Sequence, residues 1–180
     1  MDWKEILEYR IKAKRQILFS KDDDVMMSLI SLIDRTPRKA IILWALELAE
    51  ETVKLLEIKY PLENRPRTAL TLTRMWVSGK VKMPLAKRAI LDCHVVAKEI
   101  TSPVDIARCH AIGQACGTVH TKGHAAGFLM YDLTAMIREN GIDNCDEIIQ
   151  ERMNYYIERL IYWKENYSYG SKEWAGFLNE

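Results

Sequence analysis

The chain has 180 residues, 48% of them apolar and 28% charged, with a formal net charge of +1. That is long and apolar enough for a globular core burying about two thirds of the unfolded surface, and it excludes a disordered, collagen-like or strongly basic nucleic-acid-binding chain. The near-neutral total conceals a gradient, because residues 65–98 carry +7, residues 143–180 carry −4, and the two other segments carry −1 each.

Apolar residues recur with a 3.6-residue period nearly throughout, so helices are expected and strands are not. Trp3, Ile6, Leu7, Ile11 and Leu18 predict a first amphipathic helix reaching Leu18. Asp22–Asp24 supply a cap and favourable negative charge for a second through Val25, Leu29 and Ile33. Thr36-Pro37 opens a third, since proline lacks the amide hydrogen that goes unpaired at a helix start. Its run AIILWALELA is apolar on most sides and belongs near the centre; Tyr60-Pro61 ends it near Lys59. A fourth helix runs from Arg65-Pro66 to Gly79, and a fifth from Pro84 to about Ile100. A sixth runs from Ser102-Pro103 to near Gly123, and a seventh covers His124–Asn140 before Gly141. The eighth spans Asp146 to about Asn166, followed by an irregular aromatic tail. The expectation is an all-α fold, a single-domain compact bundle or stack of about eight helices over residues 1–180.

Cys93, Cys109, Cys116 and Cys145 form no CxxC pair and lie in or beside helical patterns, as reduced thiols would. The opening MDWKEILEYRIKAKRQ has no signal-peptide core, and no apolar run approaches the length of a membrane span. A cytoplasmic protein with no membrane and no nucleic-acid partner is expected.

Chemistry concentrates in Ala107–Gly127, which holds three of the four histidines, two of the four cysteines and four of the eight glycines. Gly113 and Gly117, then Gly123 and Gly127, lie one helical turn apart and point to close helix packing, with room for a ligand as the alternative. Cys116, His120 and His124 at i, i+4 and i+8 share a face of one continuous helix and could hold zinc, with Cys93, His94, Cys109 or His110 adding ligands. Packed histidines are the commoner outcome of such spacing, so no metal and no cofactor is expected. Cys116 with His120 is the best nucleophile–base pair, but no phosphate loop, nucleophile elbow or carboxylate pair accompanies it, and no catalytic residue is assigned.

Half of the sixteen aromatic residues lie in the acidic segment 143–180. Ile149, Met153, Tyr156, Leu160 and Trp163 form a core stripe by spacing. Tyr155 and Tyr162 lie off it, and with Tyr169 and Trp174 they are candidates for contact with a protein partner. A tail folded back over them is the alternative.

WALELAE, ENRPRTAL, RMWVSGK, CHVVAKE and AIGQACGTVHTKGHAAG follow one another in this order. The series resembles a family of immunity proteins of bacterial polymorphic toxin systems, the immunity-five-like helical domain, over about Arg38 to Ile137. The positions carrying the resemblance include Trp44, Arg65, Pro66, Arg67, Trp76, Gly79, His94, Gly113, Gln114, Thr118, His120, His124 and Gly127. The chain has Asn64 where members often have Asp, and Gln114 where many have His. The resemblance implies a non-enzymatic protein that neutralises a cognate protein toxin by stoichiometric occlusion. Two other readings stay open: a small helical metal protein or enzyme using Cys116, His120 and His124, and a self-associating structural module, that is, a homo-oligomer.

Overall fold

Prolines at 37, 66, 84 and 103 stand at the starts of four of the helices. In the computed structural model, which describes residues 2–170 and 173–179, the order is α1 (Trp3–Lys12), α2 (Asp24–Asp34), α3 (Arg38–Lys59), α4 (Arg65–Val77), α5 (Met83–Glu99), α6 (Pro103–Gly117), α7 (His124–Asn140) and α8 (Cys145–Gly170), closed by a 3-10 turn at Gly176–Leu178. No strand occurs among the described residues. Ser102 caps α6, its hydroxyl accepting from the Asp105 amide at 3.3 Å, and Pro103 follows where no amide hydrogen is needed.

The centre of the fold is α6, which packs against α3, α4, α5 and α7. A helix enclosed by four others cannot be wide, and its buried residues are small: Ile112 is the one large apolar side chain among Ala107, Cys109, Ala111, Gly113, Ala115, Cys116 and Gly117. Around it, α3 packs on α4, α6, α7 and α8. Trp44 of α3 is fully buried, meets the Phe128 ring edge-on at 5.8 Å, and donates its indole N–H to the Tyr156 carbonyl at 3.0 Å. Beside it a buried carboxylate, Asp132, accepts from Arg152 at 3.0 Å and from the Tyr156 hydroxyl, while Arg152 reaches on to Glu51 at 2.9 Å. These bonds join α7, α8 and α3 and leave no member of the group bare in the core.

Three boundaries differ from the sequence reading. The first helix stops at Lys12, and Lys14 takes a left-handed conformation with φ 52°. Leu18 still reaches the core, but from a non-helical segment whose backbone is bonded by side chains: its amide donates to Thr134 Oγ1 at 2.9 Å and its carbonyl accepts from Arg10 at 2.7 Å. The sixth helix ends at Gly117 rather than near Gly123, because Thr118 turns its hydroxyl back onto the Ala115 carbonyl at 2.6 Å and Arg38 takes the Val119 carbonyl at 2.5 Å. The eighth runs on to Gly170. No helix among the described residues is long and apolar enough to cross a membrane.

Candidate functional site

Glycines at the centre of the fold are filled from outside by polar side chains. A Cβ at Gly113 would lie 2.3 Å from His94 Nε2, one at Gly117 would lie 2.8 Å from His124 Cγ, and one at Gly127 would lie 2.3 Å from Gln114 Oε1. The glycine spacing pointed to close helix packing. The space that each glycine leaves is taken by an imidazole or a carboxamide, so a side chain at any of these positions would force that group to shift.

These side chains form two short hydrogen-bonded series. The Gln16 amide nitrogen lies 3.1 Å from His110 Nε2, and His110 Nδ1 lies 2.8 Å from His94 Nδ1. With Gln16 donating, His110 donates onward from Nδ1, and His94 carries its proton on Nε2. In the second series His124 Nδ1 donates to Gln114 Oε1 at 2.7 Å, which leaves His124 Nε2 as an acceptor. Neither His94 Nε2 nor His124 Nε2 has a hydrogen-bond partner among the described residues. Burial, then the neighbouring His110 and His124, pushes the His94 pKa down to about 4. Burial also lowers His110, helped by Lys98, and lowers His124, helped by His120. At neutral pH the imidazoles of His94, His110 and His124 are therefore uncharged donors and acceptors rather than cations.

His94, His124, Gly113 and Gly117 line one side of a cavity of about 240 Å³. Trp76, Met83, Ile90 and Leu91 supply its apolar wall, and the exposed Lys87 and His120 complete it. The C-terminal tail backs this wall: Phe177 stacks on Trp76 at 5.5 Å and the Ala175 amide donates to the Val77 carbonyl at 2.7 Å. Gly79, with φ 74°, takes the left-handed conformation that favours glycine, and the tail passes beside it at Ala175. A larger groove of about 540 Å³, lined by Glu47, Glu50, Glu51 and Trp163, is a salt-bridged seam, because Arg159, Arg67 with Arg74, and Arg152 hold its three carboxylates in turn.

Of the residues singled out in the sequence, Trp76, Gly113, Gln114, His120, His124 and Gly127 gather at or beside the cavity. Arg65 and Arg67 do not. Arg67 is bidentate to Glu57 at 2.7 and 2.9 Å and reaches Glu50 at 2.9 Å, Arg65 binds Glu63 and Glu99, and Pro66 is buried between them in the chain. This corner ties α3, α4 and α5 together.

Cys116, His120 and His124 lose their shared face because α6 ends before His120. Cys116 is fully buried beside Thr73, outside the cavity lining, and burial pushes its thiol up to about 11. No group of three or more His, Cys, Asp or Glu among the described residues is placed to hold a metal ion.

The C-terminal aromatics divide. Tyr155 donates its hydroxyl to Glu51 at 2.6 Å, which raises its pKa to about 12. Tyr162 is exposed, with Arg159 over its ring at 4.2 Å. Trp174 is half-buried under Lys39, and the Tyr169 side chain lies outside the described residues. Sequence reasoning missed Gln16, the His94–His110 pairing and the placement of Lys87 and Leu91 in the cavity lining; a helical-wheel plot of α5, which puts Lys87, Leu91 and His94 on one face, was the available signal.

A family model described as Imm-5 like putative immunity protein matches residues 31–159, well over half of the chain. No curated protein and no solved structure matches it.

Gly113→Ala drives a methyl group into the His94 ring and is expected to cost about 1–3 kcal/mol. In a double-mutant cycle by urea denaturation, His94→Ala should recover part of that loss; strict additivity would show that the two positions are not in contact. The His94 ring resonances should stay those of neutral imidazole down to about pH 4. Because its folded pKa lies below the unfolded value, the unfolded chain takes up the proton first, so this histidine's contribution to stability is lost as pH falls from about 6.5 towards 4. An NMR midpoint near 6.5 contradicts the buried, paired placement.

Proposed function

The chain belongs to this family of immunity proteins, and from that membership we propose that it protects its producer by binding a cognate protein toxin and covering a surface the toxin needs. The observation that carries the reading is the family match over residues 31–159, which includes the whole glycine–histidine cluster from His94 to Gly127. The chain is then a stoichiometric binder rather than an enzyme, acting in the cytoplasm where the toxin would act. Two features support a preformed binding surface: side chains locked by arginine–carboxylate forks at Arg65, Arg67, Arg152 and Arg159, and a cavity lined by two histidines whose Nε2 atoms have no hydrogen-bond partner among the described residues. Rigid surfaces of this kind lose little conformational entropy on association.

Growth rescue tests the proposal. The products of the genes next to this one are expressed singly in a host, with and without the chain. One neighbour is expected to stop growth, and the chain alone to restore colony numbers to those of the toxin-free control. Soluble chain that leaves every toxic neighbour toxic would contradict the reading.

A further inference from the structure

One face of α5 has the character of an interface. Met83, Lys87, Leu91, His94 and Lys98 follow at spacings of four, four, three and four residues, which puts them on one side of the helix. Met83 and Leu91 are exposed, Leu91 at 50%, and both line the cavity backed by Gly113 and Gly117. Lys80, Lys82, Lys87 and Lys98 make no ion pair with any described residue, whereas Arg88, on a different side of α5, is paired to Asp92. The structure therefore places one unpaired cation, Lys87, in the lining of an apolar depression, with Lys98 further along the same helix and Lys80 and Lys82 in and beside the turn that leads into it. Unpaired like charges repel one another, and an acidic surface brought against them relieves that repulsion.

The cavity narrows the choice of occupant. At about 240 Å³ it is below the range of about 300–1,000 Å³ usual for small-molecule sites, but it has room for one large side chain. Its wall is apolar, and its lining includes two imidazoles, that of His94, with Nε2 against Gly113, and that of His124; neither Nε2 atom has a hydrogen-bond partner among the described residues. A side chain with an apolar ring and a tip that both donates and accepts fits all of these features, and that is the chemistry of tyrosine. Aromatic anchors in such pockets, ringed by charged residues, are the usual centres of tight protein interfaces.

Resting on the immunity reading, we infer that the toxin docks on the α5 face through an acidic patch and inserts one tyrosine-like side chain into the cavity between α5, α6 and the start of α7. The competing surface is α8, where Glu151, Glu158 and Glu165 recur every seven residues beside the exposed Ile161 and Tyr162; it would suit a basic partner, but the cavities that α8 helps to line, at Trp163 and at Ile149 and Met153, present carboxylates and no imidazole.

The test uses the full chain and the neighbouring gene product that it rescues, with affinity and association rate measured at two salt concentrations. Lys87→Glu and Leu91→Glu are both at exposed positions, and thermal melts check that each variant folds. Each is expected to weaken binding about thirtyfold or more, and the wild-type association rate should fall as salt is raised. Tyr162→Ala and Glu158→Lys on α8 should bind as wild type does. Folded α5 variants that bind normally, or α8 variants that lose binding, overturn the assignment of the face while leaving the immunity reading intact. A dimer of the free chain that Leu91→Glu dissolves assigns the face to a second copy and also overturns it. A wild-type chain that neither rescues nor binds any neighbour removes both the inference and the reading beneath it.

Discussion

The structure depends on one constraint: α6 has neighbours on four sides, so it must be thin. Small residues at 107, 109, 111, 113, 115, 116 and 117 let α3, α4, α5 and α7 close around it. Each mid-helix glycine costs about 1 kcal/mol relative to alanine, and a close approach has to offset that cost. At Gly113 and Gly117 the approach comes from imidazoles rather than backbone. Packing and chemistry thus have the same origin, because the thinness that centres α6 also creates the space in which His94 and His124 stand beside a cavity.

Electrostatics divides the molecule in a second way. Arginines at 10, 65, 67, 152 and 159 hold carboxylates through short bonds, two of which, Arg152 to Glu51 and Arg159 to Glu47, join α8 to the distant α3, and they stiffen the frame. The four lysines at 80, 82, 87 and 98 hold nothing within the described chain. A planar guanidinium suits a fixed internal fork, and a flexible, strongly hydrated ammonium suits a surface waiting for a partner. The basic segment visible in the sequence resolves into these two populations only when the helices are assembled.

What the sequence made legible was local. Period, proline placement and the Ser102 cap located all eight helices, and the run AIILWALELA marked a buried α3, because these signals act within one or two turns. The segment 13–20 escaped, since its backbone is satisfied by Arg10 and Thr134 rather than by its own helix. The end of α6 escaped for a similar reason, the deciding partner being Arg38, some eighty residues away. At the site, the order of glycines and histidines was readable, and so was the family it implied. The fit of His94 to Gly113 and of Gln114 to Gly127 was not, because it joins different helices. Cys116, His120 and His124 would share a face only on one continuous helix, and the end of α6 at Gly117, earlier than the expected stop near Gly123, leaves Cys116 buried apart from the two histidines.

The measurement that bears most directly on the account is a titration of purified toxin activity against purified chain. Occlusion by a stoichiometric binder predicts that activity falls in proportion to added chain and vanishes at one equivalent, with no further change over time. Complete loss at a small fraction of an equivalent, progressing with time, would mean that the chain turns over, and would contradict the reading of this fold as a binding surface.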